Sequence, residues 1–222
     1  MVLMLNTLLI TLLISTIILL VITKLTTERL ISQHHGQKKD FFIHHPIQSR
    51  DIVFIGDSLT DGARWDEVFP SLPIKNRGIN ADLTTGVLNR LPEILDGKPK
   101  AIFLLIGTND LPWYEYRTDL QIMESYEQII CRIKEDSPIT KIFLESILPR
   151  ERRLAKRIDF LNKQIEELSK KHNCTYIHLF PHFADAKGGL RKELTNDSLH
   201  LLGSGYEIWK AQLLPFLKEI SS

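Results

Sequence analysis

Ile52, Val53, Phe54 and Ile55 form an unbroken apolar run that stops at Gly56, and residues 101–106 form a second that stops at Gly107. Short runs without polar alternation suit strands buried on both faces, as in a parallel sheet. Residues 73–76, 141–146 and 175–178 read as further strands. Between them lie helical patterns. Residues 84–95 place Val87, Leu88, Leu91, Ile94 and Leu95 on one face, and residues 120–135 do the same with Ile122, Met123, Tyr126, Ile129, Ile130 and Ile133. Residues 154–172 form a charged amphipathic helix, and residues 204–219 a last helix with a bend expected near Pro215. Strands alternating with helices predict an α/β domain, a doubly wound parallel sheet covered on both faces. Such folds carry their sites in loops beyond the carboxyl ends of the strands.

Residues 2–22 carry no charge. About 21 residues at ~1.5 Å each span roughly 30 Å, the hydrocarbon thickness of a bilayer. No Lys or Arg precedes the run and no small-x-small site follows it, so an uncleaved single-pass transmembrane anchor is favoured over a signal peptide. Lys24, Arg29, Lys38 and Lys39 follow the span; read literally they keep the domain on the cytoplasmic side, but they are too few to fix it. The expected organisation is an anchor over 1–23, a polar juxtamembrane linker over 24–50 and a catalytic domain over 51–222. His34, His35, His44 and His45 read as solvated linker residues rather than metal ligands, since no carboxylate or cysteine stands at ligand spacing.

The chain has 222 residues, 28 basic and 27 acidic, with a net charge of +1 and a hydrophobic share of 43%. That balance excludes wholesale disorder, and the absence of a basic stripe gives no reason to expect nucleic acid. Cys131 and Cys174 read as small buried hydrophobes, neither a disulfide framework nor a zinc site.

Ser58 follows the first strand on a turn opened by Gly56. A hydroxyl becomes a useful nucleophile when a base takes its proton. His200 is the histidine suited to that task, because Asp197 stands three residues before it and can reach the other ring nitrogen. The developing oxyanion needs preorganised donors. The candidates are the Ser58 N–H, the Gly78 N–H and the side-chain amide of Asn109. Asp57 reads as a loop brace. Trp65, Trp113 and Tyr114 are candidates to line a cleft, although packing is the commoner role for such residues. Arg64 reads as a solvated surface residue.

Ser, Gly, Asn and His in this order resemble the four blocks of the SGNH (GDSL) hydrolase superfamily. Gly56, Asp57, Ser58 and Leu59 resemble the first, and Gly78 falls in the second. Gly107, Thr108, Asn109 and Asp110 resemble the third, and Asp197 with His200 the last. The resemblance covers about residues 51–216. Asn76, Arg77, Gly78, Ile79, Asp82 and Thr84, with residues 147–150 and 199–206, look most like platelet-activating-factor acetylhydrolase catalytic subunits and related bacterial acetylesterases. Asn80 and Ala81 depart from the pattern, since relatives often carry two glycines there.

The resemblance implies a three-layer α/β/α sandwich of flavodoxin-like type. It also implies metal- and cofactor-free hydrolysis of O-acyl esters, acetyl or other short chains foremost, on an acylated sugar or lipid. A lysophospholipase or thioesterase acting on longer chains is the alternative within that chemistry. An inactive membrane-tethered binding module is the alternative outside it, and the presence of every catalytic residue type argues against it.

Overall fold

The computed structural model describes residues 2–111 and 117–221, with side chains over 6–111 and 117–220. Two compact units are separated at Phe41: Met1–Phe41 and Phe42–Ser222. The first is formed by helix α1, Val2–His44, whose last turn belongs to the second unit. Leu8, Leu12, Ile18 and Ile22 are each more than half exposed, and none of the apolar window is buried among the described residues. The helix does not stop where the charges begin. Residues 24–44, read above as a connector, continue it, with a Lys24–Glu28 pair one turn apart supporting the polar part.

The second unit is a five-stranded parallel sheet: β1 (Ile52–Gly56), β2 (Ile74–Gly78), β3 (Ala101–Leu105), β4 (Lys141–Glu145) and β5 (Thr175–Ile177), in the order β2-β1-β3-β4-β5. The helices are α2 (Ser58–Asp61), α3 (Trp65–Val68), α4 (Thr84–Leu95), α5 (Asp119–Asp136), α6 (Ala155–Lys171), α7 (Phe180–Phe183) and α8 (Gly203–Ser221). The predicted α/β alternation is the one observed, and α4 begins and ends at the predicted residues. α8 passes through Pro215 as one continuous helix.

Side chains alternate across each strand and divide the core in two. Val53, Ile55, Ile102, Leu104, Ile142 and Leu144 pack under α4, α5 and α6 in an aliphatic layer. Ile52, Phe54, Phe103, Leu105 and Phe143 face α2, α3, α7 and α8 in an aromatic one. Phe54, Phe103 and Phe143 are directly in register across three strands. Phe103 and Phe143 stack with centroids 4.4 Å apart. Full burial of such a side chain contributes about 1.5–3 kcal/mol, so both layers hold the strands in fixed register and their carboxyl ends in fixed places.

One packing expectation changes and one is met. Cys131 is exposed rather than buried, because it follows Ile129 and Ile130 and so points away from the apolar stripe of α5. Trp65 is only 1% exposed and takes the packing role, the commoner of the two weighed for it. Its ring lies edge-on to Phe54 at 4.6 Å and to Trp209 at 5.1 Å, and its N–H donates to the Thr60 carbonyl at 2.9 Å. Trp113 and Tyr114 lie outside the described residues.

Candidate active site

Ser58 opens α2, immediately beyond the carboxyl end of β1. Asp57 caps that helix by accepting the Leu59 N–H at 3.0 Å, the bracing role expected of it. No partner for the Ser58 N–H occurs among the described residues. Asp57 is fully buried, and its pKa is pushed up to about 7. Burial is the main cause; the charges of Asp82 and Asp110 add to it, while the Leu59 N–H and Arg150 oppose it.

His200 arrives from the loop before α8, 142 residues further along the chain. Its Nε2 lies 3.0 Å from Ser58 Oγ, and its Nδ1 lies 2.6 Å from Asp197 Oδ2. Asp197 divides its two oxygens between tasks. Oδ1 accepts the N–H groups of Leu199 at 2.9 Å and His200 at 2.8 Å, folding the loop, while Oδ2 holds the ring. Ser198, between them, has a φ of 66°, a left-handed conformation that this local bonding maintains. Burial draws the Asp197 carboxyl upward. Bonds from the His200 ring and from the His200 and Leu199 amides outweigh it, and the group titrates well below the usual carboxylate range.

Asn109 follows β3 and is half-buried. One hydrogen of its Nδ2 goes to the Asp82 carbonyl at 3.0 Å, and among the described residues the second has no partner. Gly78 differs from the expectation. It is the last residue of β2, paired with Gly56, and not a loop residue. Its N–H donates to Asn76 Oδ1 at 2.8 Å and so is already engaged. Its lack of a side chain serves packing: a Cβ there would lie 2.3 Å from the Asp61 nitrogen and 2.8 Å from the Thr60 carbonyl carbon, so α2 sits directly on the strand.

A backbone N–H that the sequence reading did not weigh is that of Ala81. Residues 79–82 form a tight turn closed by the Asp82 N–H on the Ile79 carbonyl at 3.1 Å. Ala81 occupies its third position with a φ of 61°, as a type II turn requires. No partner for its N–H occurs among the described residues, and Asn109 grips the same turn at Asp82. The available signal was the departure at Asn80 and Ala81. An alanine in a glycine position keeps the backbone donor while hiding the motif. Arg64, as expected, is a surface residue, paired with Glu67 at 3.0 Å. Among the described residues no cluster of three or more His, Cys, Asp or Glu is placed to hold a metal ion.

A parallel α/β/α sandwich with a serine, a histidine and spare amide donors gathered at its carboxyl edge defines a hydrolase of acyl esters. The sequence profile of the GDSL-like lipase/acylhydrolase family matches residues 54–208, and the chain belongs to that family. The alpha2 subunit of platelet-activating factor acetylhydrolase IB from Rattus norvegicus is 29% identical over 189 residues, covering 81% of this chain and 79% of the rat protein. The human alpha1 subunit is 28% identical, covering 80% and 78%. Among solved structures, a Streptococcus pneumonia protein provisionally described as a platelet activating factor superposes with a TM-score of 0.77 at 29% identity, covering 86% of this chain and 96% of its own. The fold is shared with the acetylxylan esterase Axe2 of Geobacillus stearothermophilus, with a TM-score of 0.63 at 18% identity and coverage of 78% and 95%.

Proposed function

We propose that the chain is a serine esterase acting through an acyl-enzyme on Ser58, with short acyl chains, acetyl foremost, as its substrates. The observation that carries this reading is the continuous set of contacts Ser58 Oγ–His200 Nε2 at 3.0 Å and His200 Nδ1–Asp197 Oδ2 at 2.6 Å. Ser58 Oγ attacks the ester carbonyl carbon as its proton passes to His200 Nε2. Asp197 holds the ring and steadies the imidazolium that results. The tetrahedral oxyanion takes hydrogen bonds from the Ser58 N–H, the free Nδ2 hydrogen of Asn109 and the Ala81 N–H, which replaces Gly78 in this role. Collapse expels the alcohol, which leaves with the proton from His200. Water then enters, gives its proton to His200 and attacks the acyl-enzyme; the acid is released and Ser58 recovers its hydrogen.

The preference for acetyl rests on the name of the 29%-identical acetylhydrolase subunit. The test is labelling of the full chain with a fluorophosphonate, followed by turnover of nitrophenyl esters from acetyl to palmitoyl. Wild type labels, Ser58→Ala does not, and kcat/KM falls as the chain lengthens. Equal labelling of both proteins removes the nucleophile assignment. A rising chain-length profile replaces the acetylesterase with a lysophospholipase or thioesterase.

The charge-free part of α1 serves in this reading as a membrane anchor, supported by its length and by its exposed leucines and isoleucines. The full-length protein is then expected to remain in the membrane fraction after alkaline carbonate washing. Release into the supernatant, or a mature N-terminus beyond the run, contradicts the anchor.

A further inference from the structure

Arg90 lies on α4 and is 2% exposed, and its hydrogen bonds among the described residues go to Asp82 and Gly56. Its Nε donates to Asp82 Oδ2 at 2.8 Å, with both side chains 1% exposed, and its Nη2 donates to the Gly56 carbonyl at 3.2 Å. Gly56 ends β1, two residues before Ser58. The same carbonyl accepts the Ile79 N–H at 3.1 Å, where the turn carrying Ala81 begins. That turn ends at Asp82, whose own carbonyl holds Asn109. A single guanidinium therefore ties together the ends of β1, β2 and, through Asp82, β3. These are the three places from which the Ser58 N–H, the Ala81 N–H and the Asn109 amide are presented.

A buried ion pair is a poor source of net stability, because desolvation of both charges offsets most of their attraction. What it supplies is geometry. Arg offers donors in a rigid planar fork, so the direction to Asp82 and the direction to Gly56 are fixed relative to each other; Lys offers a point charge and reproduces only one of them. We infer that Arg90 is a positioning residue of the oxyanion hole: with Asp82 it sets the orientation of Asn109 and the spacing of the donors. The inference rests on the assignment of Asn109 as an oxyanion donor. It predicts that loosening the pair removes stabilisation felt mainly in the transition state, where the oxygen carries its charge, and leaves ground-state binding nearly intact.

The experiment is a double-mutant cycle on the full chain, with kcat and KM for nitrophenyl acetate measured per titrated active site. Arg90→Lys is expected to lower kcat by about 10- to 100-fold, as small misplacements of catalytic groups do, with KM changed less than about twofold. Asn109→Ala lowers kcat by about 100-fold or more. The double variant Arg90→Lys/Asn109→Ala is slower than Asn109→Ala by clearly less than the loss that Arg90→Lys causes alone, because one of the donors that Arg90 positions is already removed. Losses that multiply, or an effect of Arg90→Lys on KM alone, overturn the inference while leaving Asn109 in place. A wild-type kcat for Asn109→Ala overturns the donor assignment and the inference together. Where near-UV circular dichroism shows that Arg90→Lys has not folded, Asp82→Asn takes its place in the cycle. It keeps the side-chain shape and the main-chain carbonyl, and it carries the same expected and contrary outcomes.

Discussion

The two sides of the proposed active site are built in opposite ways. On the donor side, the side chains of Asp82 and Arg90 are each 1% exposed, and their contacts join the ends of separate strands. On the acid–base side, His200 and Asp197 are 47% and 46% exposed, on a loop shaped by its own side chains. The donors draw their positions from the packed sheet, over long sequence separations. The imidazole draws its orientation from a four-residue turn and from a carboxylate within that turn. A site that must meet a developing charge at fixed points benefits from a stiff support. A group that moves a proton tolerates a local and solvated one, provided its second nitrogen stays held.

This contrast makes the acid–base side separable by single substitutions. Asp197→Asn keeps a carbonyl oxygen to accept the Leu199 and His200 amides, so the loop persists, but removes the charge that steadies the imidazolium. The expected loss in kcat is on the order of 10³- to 10⁴-fold with little change in thermal midpoint. Activity within tenfold of wild type would make Asp197 a loop brace only.

Burial beneath the sheet edge sharpens the comparison through pH. Glu145, at the end of β4, is fully buried and held up at about 8 by that burial, against the opposing N–H of Trp209. Its ordinary value is 4.5. Between these values the folded protein keeps a proton that the unfolded chain has released. Stability from this group is therefore complete below about 4.5 and is lost as pH rises through about 8. Glu145→Gln should show a urea midpoint close to wild type at low pH and above it at pH 9. Asp57, raised from 3.8 to about 7, acts with the same sign over a lower window. A midpoint difference that does not change with pH contradicts a buried, protonated Glu145.

The smallest expected effect lies in the turn between the two. Ala81 holds a φ of 61°, where a β-carbon costs about 1–2 kcal/mol that glycine avoids, less the entropy that glycine loses on folding. Ala81→Gly should raise stability by about 0.5–1 kcal/mol in urea unfolding. Destabilisation would mean that the alanine methyl makes packing contacts worth more than the strain.

Much of this arrangement could be read before any coordinates. Helix α4 announced itself through the spacing of Val87, Leu91, Ile94 and Leu95, and β3 through six apolar residues ending at Gly107, since both depend on local pattern. The spacing of Asp197 and His200 pointed to their contact for the same reason. What stayed hidden depends on packing between distant segments. The extension of β2 to Gly78 follows from pairing with Gly56. Ala81 carries no chemical signal of its own, and its importance comes from backbone geometry. The helical state of residues 24–44 had no apolar stripe to announce it.

The proposed acyl-enzyme is tested most directly by the identity of the atom that receives the acyl group. Enzyme mixed rapidly with nitrophenyl acetate, quenched in acid and digested, should carry one acetyl group on the peptide containing Ser58, and none in Ser58→Ala. Acetyl found on another residue of the active enzyme, or turnover that survives in Ser58→Ala, would contradict it.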